Sequence, residues 1–104
     1  MSILQNVFKK TEERDLQELI TEGAIIIDVR SPAEFAGGHV AGAINVPLET
    51  LPAAIEKVAG KDTTIITCCM SGGRSAMAKT MLHTAGYQNV YNGGGWQTLQ
   101  SKLQ

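Results

Sequence analysis

TTIITCCMSGGRSAMAKTMLHTAG, residues 63–86, is the stretch whose reading decides the fold. TTIITC (63–68) is a β-rich run and predicts a strand. Residues 75–85 predict a helix with Met77, Met81 and Leu82 facing inward, stopped by Gly86. A glycine-containing turn joins the two without a pause. Strand and helix signals that alternate in this way along a chain are the pattern of a parallel sheet with helices on its faces.

The alternation extends in both directions. Upstream, AIIIDV (24–29) is a continuous β-branched run, read as a strand buried on both faces and ending in a charged pair, Asp28 and Arg30. Before it, Thr11 can cap a helix whose apolar stripe is Leu16, Leu19 and Ile20, with Gly23 as its stop. After it, Ser31, Pro32 and Glu34 suit the first turn of a short helix, with proline at the favoured first position. GGHVAGA (37–43) is too glycine-rich for an element interior and predicts a loop leading to a short strand at 44–46. Residues 48–59 carry the helical stripe Leu51, Ala54, Ile55 and Val58, closed by Gly60. A short strand near 89–91 and a terminal helix from about Trp96 complete the pattern.

Residues 1–104 are read as one domain, with 1–10 as a lead-in, because a chain of this length buries one core and has no room for a second. A formal net charge of −1 supplies no field that would gather nucleic acid or an anionic membrane. The longest strongly apolar run, 24–27, is too short to span a bilayer, and the N-terminus lacks the basic start, apolar stretch and small-residue cleavage site of an export signal. The expectation is a soluble, cytoplasmic protein without nucleic-acid or membrane partners. Cys68 and Cys69 are adjacent, so they cannot staple distant segments, and neighbours on an extended chain point to opposite faces. With His39 and His83 far away in sequence and no CxxC pair, no metal site is expected. Thiol chemistry or inert packing remains.

The chemistry concentrates between the strand and the helix. Cys69, Met70, Ser71, Gly72, Gly73 and Arg74 sit where a strand's carboxyl end meets a helix N-terminus, the usual ligand position in an open α/β sheet. Gly72 and Gly73 allow a tight bend that aims several N–H groups at one point, and the helix end adds partial positive charge. A cysteine at the base of such a nest has its thiolate stabilised, so Cys69 is the candidate nucleophile and residues 70–74 the candidate substrate-binding loop.

Cys69 to Ser75 also resembles the CxxGxRS active loop of the rhodanese family. Two further segments carry the likeness: IIDVRSPAEFAGGHVAGAINVP (26–47), which resembles that family's DVR, EF and GH stretch with its GAxNxP ending, and VYNGGGW (90–96), which resembles its glycine and tryptophan segment. The three occur in the right order and spacing from about residue 11 onward. The resemblance implies a rhodanese-like α/β domain, a parallel five-stranded sheet flanked by helices on both faces, and a cysteine that passes through a persulfide. A thiosulfate or persulfide donor would load Cys69, and cyanide, a thiol or a protein cysteine would take the sulfur away, with no cofactor required.

The remaining candidates have supporting roles. Asp28 is expected to hydrogen-bond neighbouring loops, since thiolate attack leaves a base nothing to deprotonate. Arg30 and Glu34 are expected to form a local ion pair. Arg74 either orients an anionic donor or lowers the thiolate pKa, or else is solvated or paired with an acid; His39 is read as a satisfied structural group, and Trp96 as the anchor of the terminal helix. Counting from Cys68 instead gives a cysteine, five residues and Arg74, the loop length of cysteine-dependent phosphatases and some arsenate reductases, although Thr67 stands where those phosphatases have histidine. A non-catalytic binding module is the other alternative.

Overall fold

The computed structural model describes residues 15–103. The Thr11 cap and the lead-in over 1–10 lie outside the described residues. The described chain opens with α1 (Leu16–Thr21), whose cap is Asp15, its carboxylate accepting from the Gln17 N–H. β1 (Ile25–Asp28), α2 (Pro32–Ala36) and β2 (Ile44–Asn45) follow, then a 3-10 turn (Leu48–Thr50) leading into α3 (Leu51–Val58). β3 (Ile65–Cys69), α4 (Gly73–Thr84), β4 (Val90–Gly95) and α5 (Trp96–Lys102) complete it.

The strands form one parallel sheet in the order β2-β1-β3-β4. Its four strands are the two predicted from β-branched runs, at 24–29 and 63–68, and the two short ones expected at 44–46 and near 89–91. The fifth strand rested on the resemblance alone, and no residue among those described forms it. Alternation along β1 and β3 divides the core. Ile27, Ile65 and Cys69 face α3 and α4, meeting Leu51, Ile55, Ala78 and Leu82. Ile26, Ile66 and Cys68 face the other way, against Leu19 of α1 and Leu99 of α5. Helices therefore cover both faces, as expected for β-branched strands with no polar side.

Helix α4 turns Leu82 and, in part, Met81 inward as predicted, but not Met77. Its buried positions are Ser75, Ala78 and Leu82, spaced three and four apart. Met77 lies two residues from Ser75, roughly 200° around the helix, and is 58 % exposed.

Strand order positions the site. From β1 the chain goes to the β2 edge and then crosses back to β3, so the connections leaving β1 and β3 diverge between neighbouring strands. A crevice at the carboxyl ends of the strands, at that reversal, is where open α/β sheets bind ligands. At the β3–β4 border the register slips: Thr67 pairs with Asn92 but Cys69 with Gly95, so two steps on β3 face three on β4. Gly93 and Gly95 permit this approach, since a Cβ on Gly93 would lie 2.8 Å from the Thr67 carbonyl oxygen and one on Gly95 2.9 Å from that of Met70.

Candidate active site

The turn after β3 is folded around one sulfur atom. Gly72 has φ +110°, a left-handed conformation open to glycine, and caps α4. Its N–H donates to Cys69 Sγ at 3.0 Å, and the Ser75 N–H in the first turn of α4 approaches the same sulfur at 3.4 Å. Cys69 is the last residue of β3, one position later than the predicted strand end, and is 1 % exposed. Met70 and Ser71 beside it are exposed, so the sulfur is the floor of the loop and these residues its rim.

Ser75 and Asn92 are the residues that sequence reasoning left without a role. Ser75 Oγ lies 3.5 Å from Cys69 Sγ, 2.9 Å from the Gly72 carbonyl oxygen and 2.6 Å from Asn92 Oδ1. Asn92 Oδ1 also accepts from the Gly94 N–H, which fixes the amide's orientation. One hydroxyl proton serves these acceptors. With Cys69 as a thiol, S–H donates to Ser75 Oγ and the hydroxyl proton goes to Asn92 or Gly72; with Cys69 ionised, the hydroxyl turns to the sulfur. Ser75 was visible as the last letter of the CxxGxRS pattern. Asn92 reaches it because it pairs with Thr67 in the β3–β4 ladder, beside the start of α4, a pairing that no local signal announces.

Opposite balances act on the two adjacent thiols. Burial pushes the Cys69 pKa up, but hydrogen bonds from the Ser75 hydroxyl and the N–H groups of Ser75, Gly72 and Ser71 outweigh it, and the net shift is downward from 9.0. Among the described residues no such donor reaches Cys68. Burial, reinforced by the Asp28 carboxylate, pushes it up to about 12. Ionisation of Cys69 therefore favours the folded state above pH 9 and that contribution is lost as pH falls through its lowered pKa; the Cys68 contribution is intact below pH 9 and lost as pH climbs toward 12. Alkylation by iodoacetamide is expected to modify Cys69 with a midpoint below pH 9, leaving Cys68 unmodified until the chain is unfolded. A Cys69 midpoint at or above 9 would contradict this.

The ion pairs differ from the expected Arg30–Glu34 pairing. Arg30 turns back on Asp28, donating from Nε at 3.0 and 3.1 Å and from Nη2 at 2.8 Å, and both residues are buried. A fork-shaped guanidinium two residues along the chain meets the carboxylate more directly than Glu34, whose side chain points to the Cys69 loop. The Arg30 head also donates to the Gly38 and Glu34 backbone carbonyls and lies 4.9 Å from the Trp96 ring centroid. A Cβ on Gly38 would come within 2.9 Å of Trp96, so the glycine makes room for the indole. Asn45 donates to the carbonyls of Asp28 and Arg30 and pins the loop that leaves β1. His39 stacks on Phe35 at 3.7 Å with Nδ1 at 2.7 Å from the Phe35 carbonyl, away from the sulfur's contacts.

Glu34 takes the other arginine. Its carboxylate accepts from Arg74 Nη1 at 2.9 Å and Nη2 at 3.2 Å, and that pairing, with the Ser31 N–H, holds its pKa down to about 2. The structure thus gathers Cys69, residues 70–74, Asp28, Arg30 and Glu34 at the reversal point, with His39 on the flank.

Comparison with known proteins agrees with this geometry. The family model for the rhodanese-like domain matches residues 12–102. Over 70 residues, 66 % of this chain and 67 % of the relative, the sequence is 41 % identical to thiosulfate sulfurtransferase PspE of Escherichia coli. Over 91 residues, 86 % of this chain and 83 % of the relative, it is 33 % identical to thiosulfate sulfurtransferase GlpE of Ectopseudomonas mendocina. The solved structure of a rhodanese with anions from E. coli superposes with a TM-score of 0.70 at 37 % identity, covering 72 % of this chain and 89 % of that one. Sulfurtransferase activity is thus present in the family at the level of these relatives. The chain belongs to the rhodanese-like domain family.

Proposed function

We propose that the chain is a single-domain sulfurtransferase that carries a sulfane sulfur as a persulfide on Cys69. The observation that carries this reading is the convergence of the Gly72 and Ser75 N–H groups on Cys69 Sγ, in a loop formed at the carboxyl end of β3. In the loading step the Cys69 thiolate attacks the outer sulfur of thiosulfate or a persulfide. The donor's S–S bond breaks, and sulfite or a thiolate leaves with the electron pair. In the unloading step an acceptor nucleophile (cyanide, a thiol or a protein cysteine) bonds to the terminal sulfur and Cys69 departs as thiolate. Charge stays on sulfur throughout, and the loop's N–H groups and Ser75 hydroxyl hold it, so the cycle needs neither cofactor nor metal. Met70, Ser71, Gly72, Gly73 and Arg74 form the donor-binding loop. Asp28 and Arg30 brace it from β1, and His39 belongs to the adjoining structure.

The phosphatase reading needs an ionised Cys68, and a thiol pushed up to about 12 on the opposite face of β3 argues against it. Two buried free thiols suit a reducing compartment, which supports a cytoplasmic setting. Incubation with thiosulfate and cyanide is expected to give thiocyanate with ping-pong kinetics, because the sulfur rests on the protein between steps. Absence of transfer from thiosulfate and from an organic persulfide alike would favour a binding module.

A further inference from the structure

The mouth of the loop is electrically balanced. Arg74 is the one cationic side chain in the loop, residues 69–74, and Glu34 engages it through two contacts. Glu34 cannot easily let go. Its Oε1 accepts from the Ser31 N–H while the Ser31 hydroxyl accepts from the Glu34 N–H, the reciprocal box that caps α2. Asp28 engages Arg30 in the same way. The attraction left for an incoming anion comes from backbone N–H groups, and two of those already face Cys69 Sγ. A doubly charged donor approaching the thiolate meets repulsion that no free cationic side chain of the loop offsets, and a singly charged donor meets about half of it.

Resting on the sulfurtransferase reading above, we propose that Glu34 is a specificity-determining residue: by occupying Arg74 it selects sulfur donors of low net charge, organic persulfides and thiosulfonates, over the thiosulfate dianion. With a thiosulfonate, the Cys69 thiolate takes the outer sulfur, the S–S bond breaks and a sulfinate leaves. With an organic persulfide, the leaving group is the parent thiolate.

The test compares thiosulfate with methanethiosulfonate, which presents a similar outer sulfur and one negative charge fewer, using cyanide as acceptor. Glu34→Gln keeps an oxygen for the Ser31 N–H, so the cap of α2 survives, but it releases Arg74. Its kcat/KM for thiosulfate is expected to rise roughly fivefold to tenfold, through KM, while methanethiosulfonate changes about twofold or less. The gain fades with added salt and vanishes in Glu34→Gln/Arg74→Gln. Arg74→Gln alone strands the carboxylate at the mouth and moves the donor ratio the opposite way, an independent check should Glu34→Gln fold poorly. An equal change for both donors, or a loss for thiosulfate in Glu34→Gln, overturns the specificity role. Failure of the unaltered protein to load sulfur from either donor overturns the sulfurtransferase reading instead.

Discussion

Cys69→Ser is expected to reduce sulfur loading and thiocyanate formation to background while the protein stays folded, and Cys68→Ser to retain both. A serine hydroxyl at 69 accepts the same N–H groups but cannot form a persulfide, and its alkoxide is inaccessible near neutral pH. At 68 the side chain packs against Ile66 and Leu99 on the far face of the sheet, with Asp28 near enough to accept from a hydroxyl. That substitution costs stability of order 1 kcal/mol without touching the loop. Intact-protein mass after thiosulfate treatment gives the readout: one added sulfur in the unaltered protein and in Cys68→Ser, none in Cys69→Ser. The opposite pattern, loading lost only with Cys68→Ser, would move the nucleophile to the other register.

The largest effect on stability is expected at Asp28. Asp28 and Arg30 are 0 % and 1 % exposed, and removing the carboxylate leaves a guanidinium in the interior with its charge uncompensated. The Gly38 and Glu34 carbonyls and the Trp96 face remain, but none carries charge. Breaking a buried pair from one side costs about 3–5 kcal/mol, whereas replacing both partners with apolar groups of similar volume is often close to neutral. Asp28→Ala is therefore expected to lower the urea midpoint by that equivalent with little change in slope, and Asp28→Leu/Arg30→Met to recover much of the loss. A cost below about 1 kcal/mol for Asp28→Ala would mean that water reaches the guanidinium.

The fold was legible where chemistry is local. AIIIDV and TTIITC are β-branched runs, and each became a strand with both faces covered. Ser31, Pro32 and Glu34 announced the start of α2, to which the structure adds the reciprocal cap between Ser31 and Glu34. The position of Cys69 in a glycine turn between strand and helix followed from the same kind of signal. What the sequence concealed depends on separation along the chain. Glu34 and Arg74 stand forty residues apart and meet because two loops leave adjacent strands; the nearer Arg30 offered a simpler partner and misled. Asn92 reaches Ser75 because β4 pairs with β3 in a register that sets Asn92 opposite Thr67. Met77 looked apolar and inward, yet the face of α4 turned to the sheet is set by Ser75, which must touch the sulfur. The fifth strand had no β-branched run of its own behind it.

The pleat of β3 has one more consequence. Cys68 and Cys69 are joined by a single peptide unit, yet one thiol enters the core under α5 and the other the core under α4. A trivalent arsenical, which must close a ring through two neighbouring sulfurs, has no partner geometry in the native chain and gains one when the strand comes apart. The protein thus hides a dithiol by orientation instead of distance, presenting oxidants and metal-like poisons with a monothiol for as long as it remains folded.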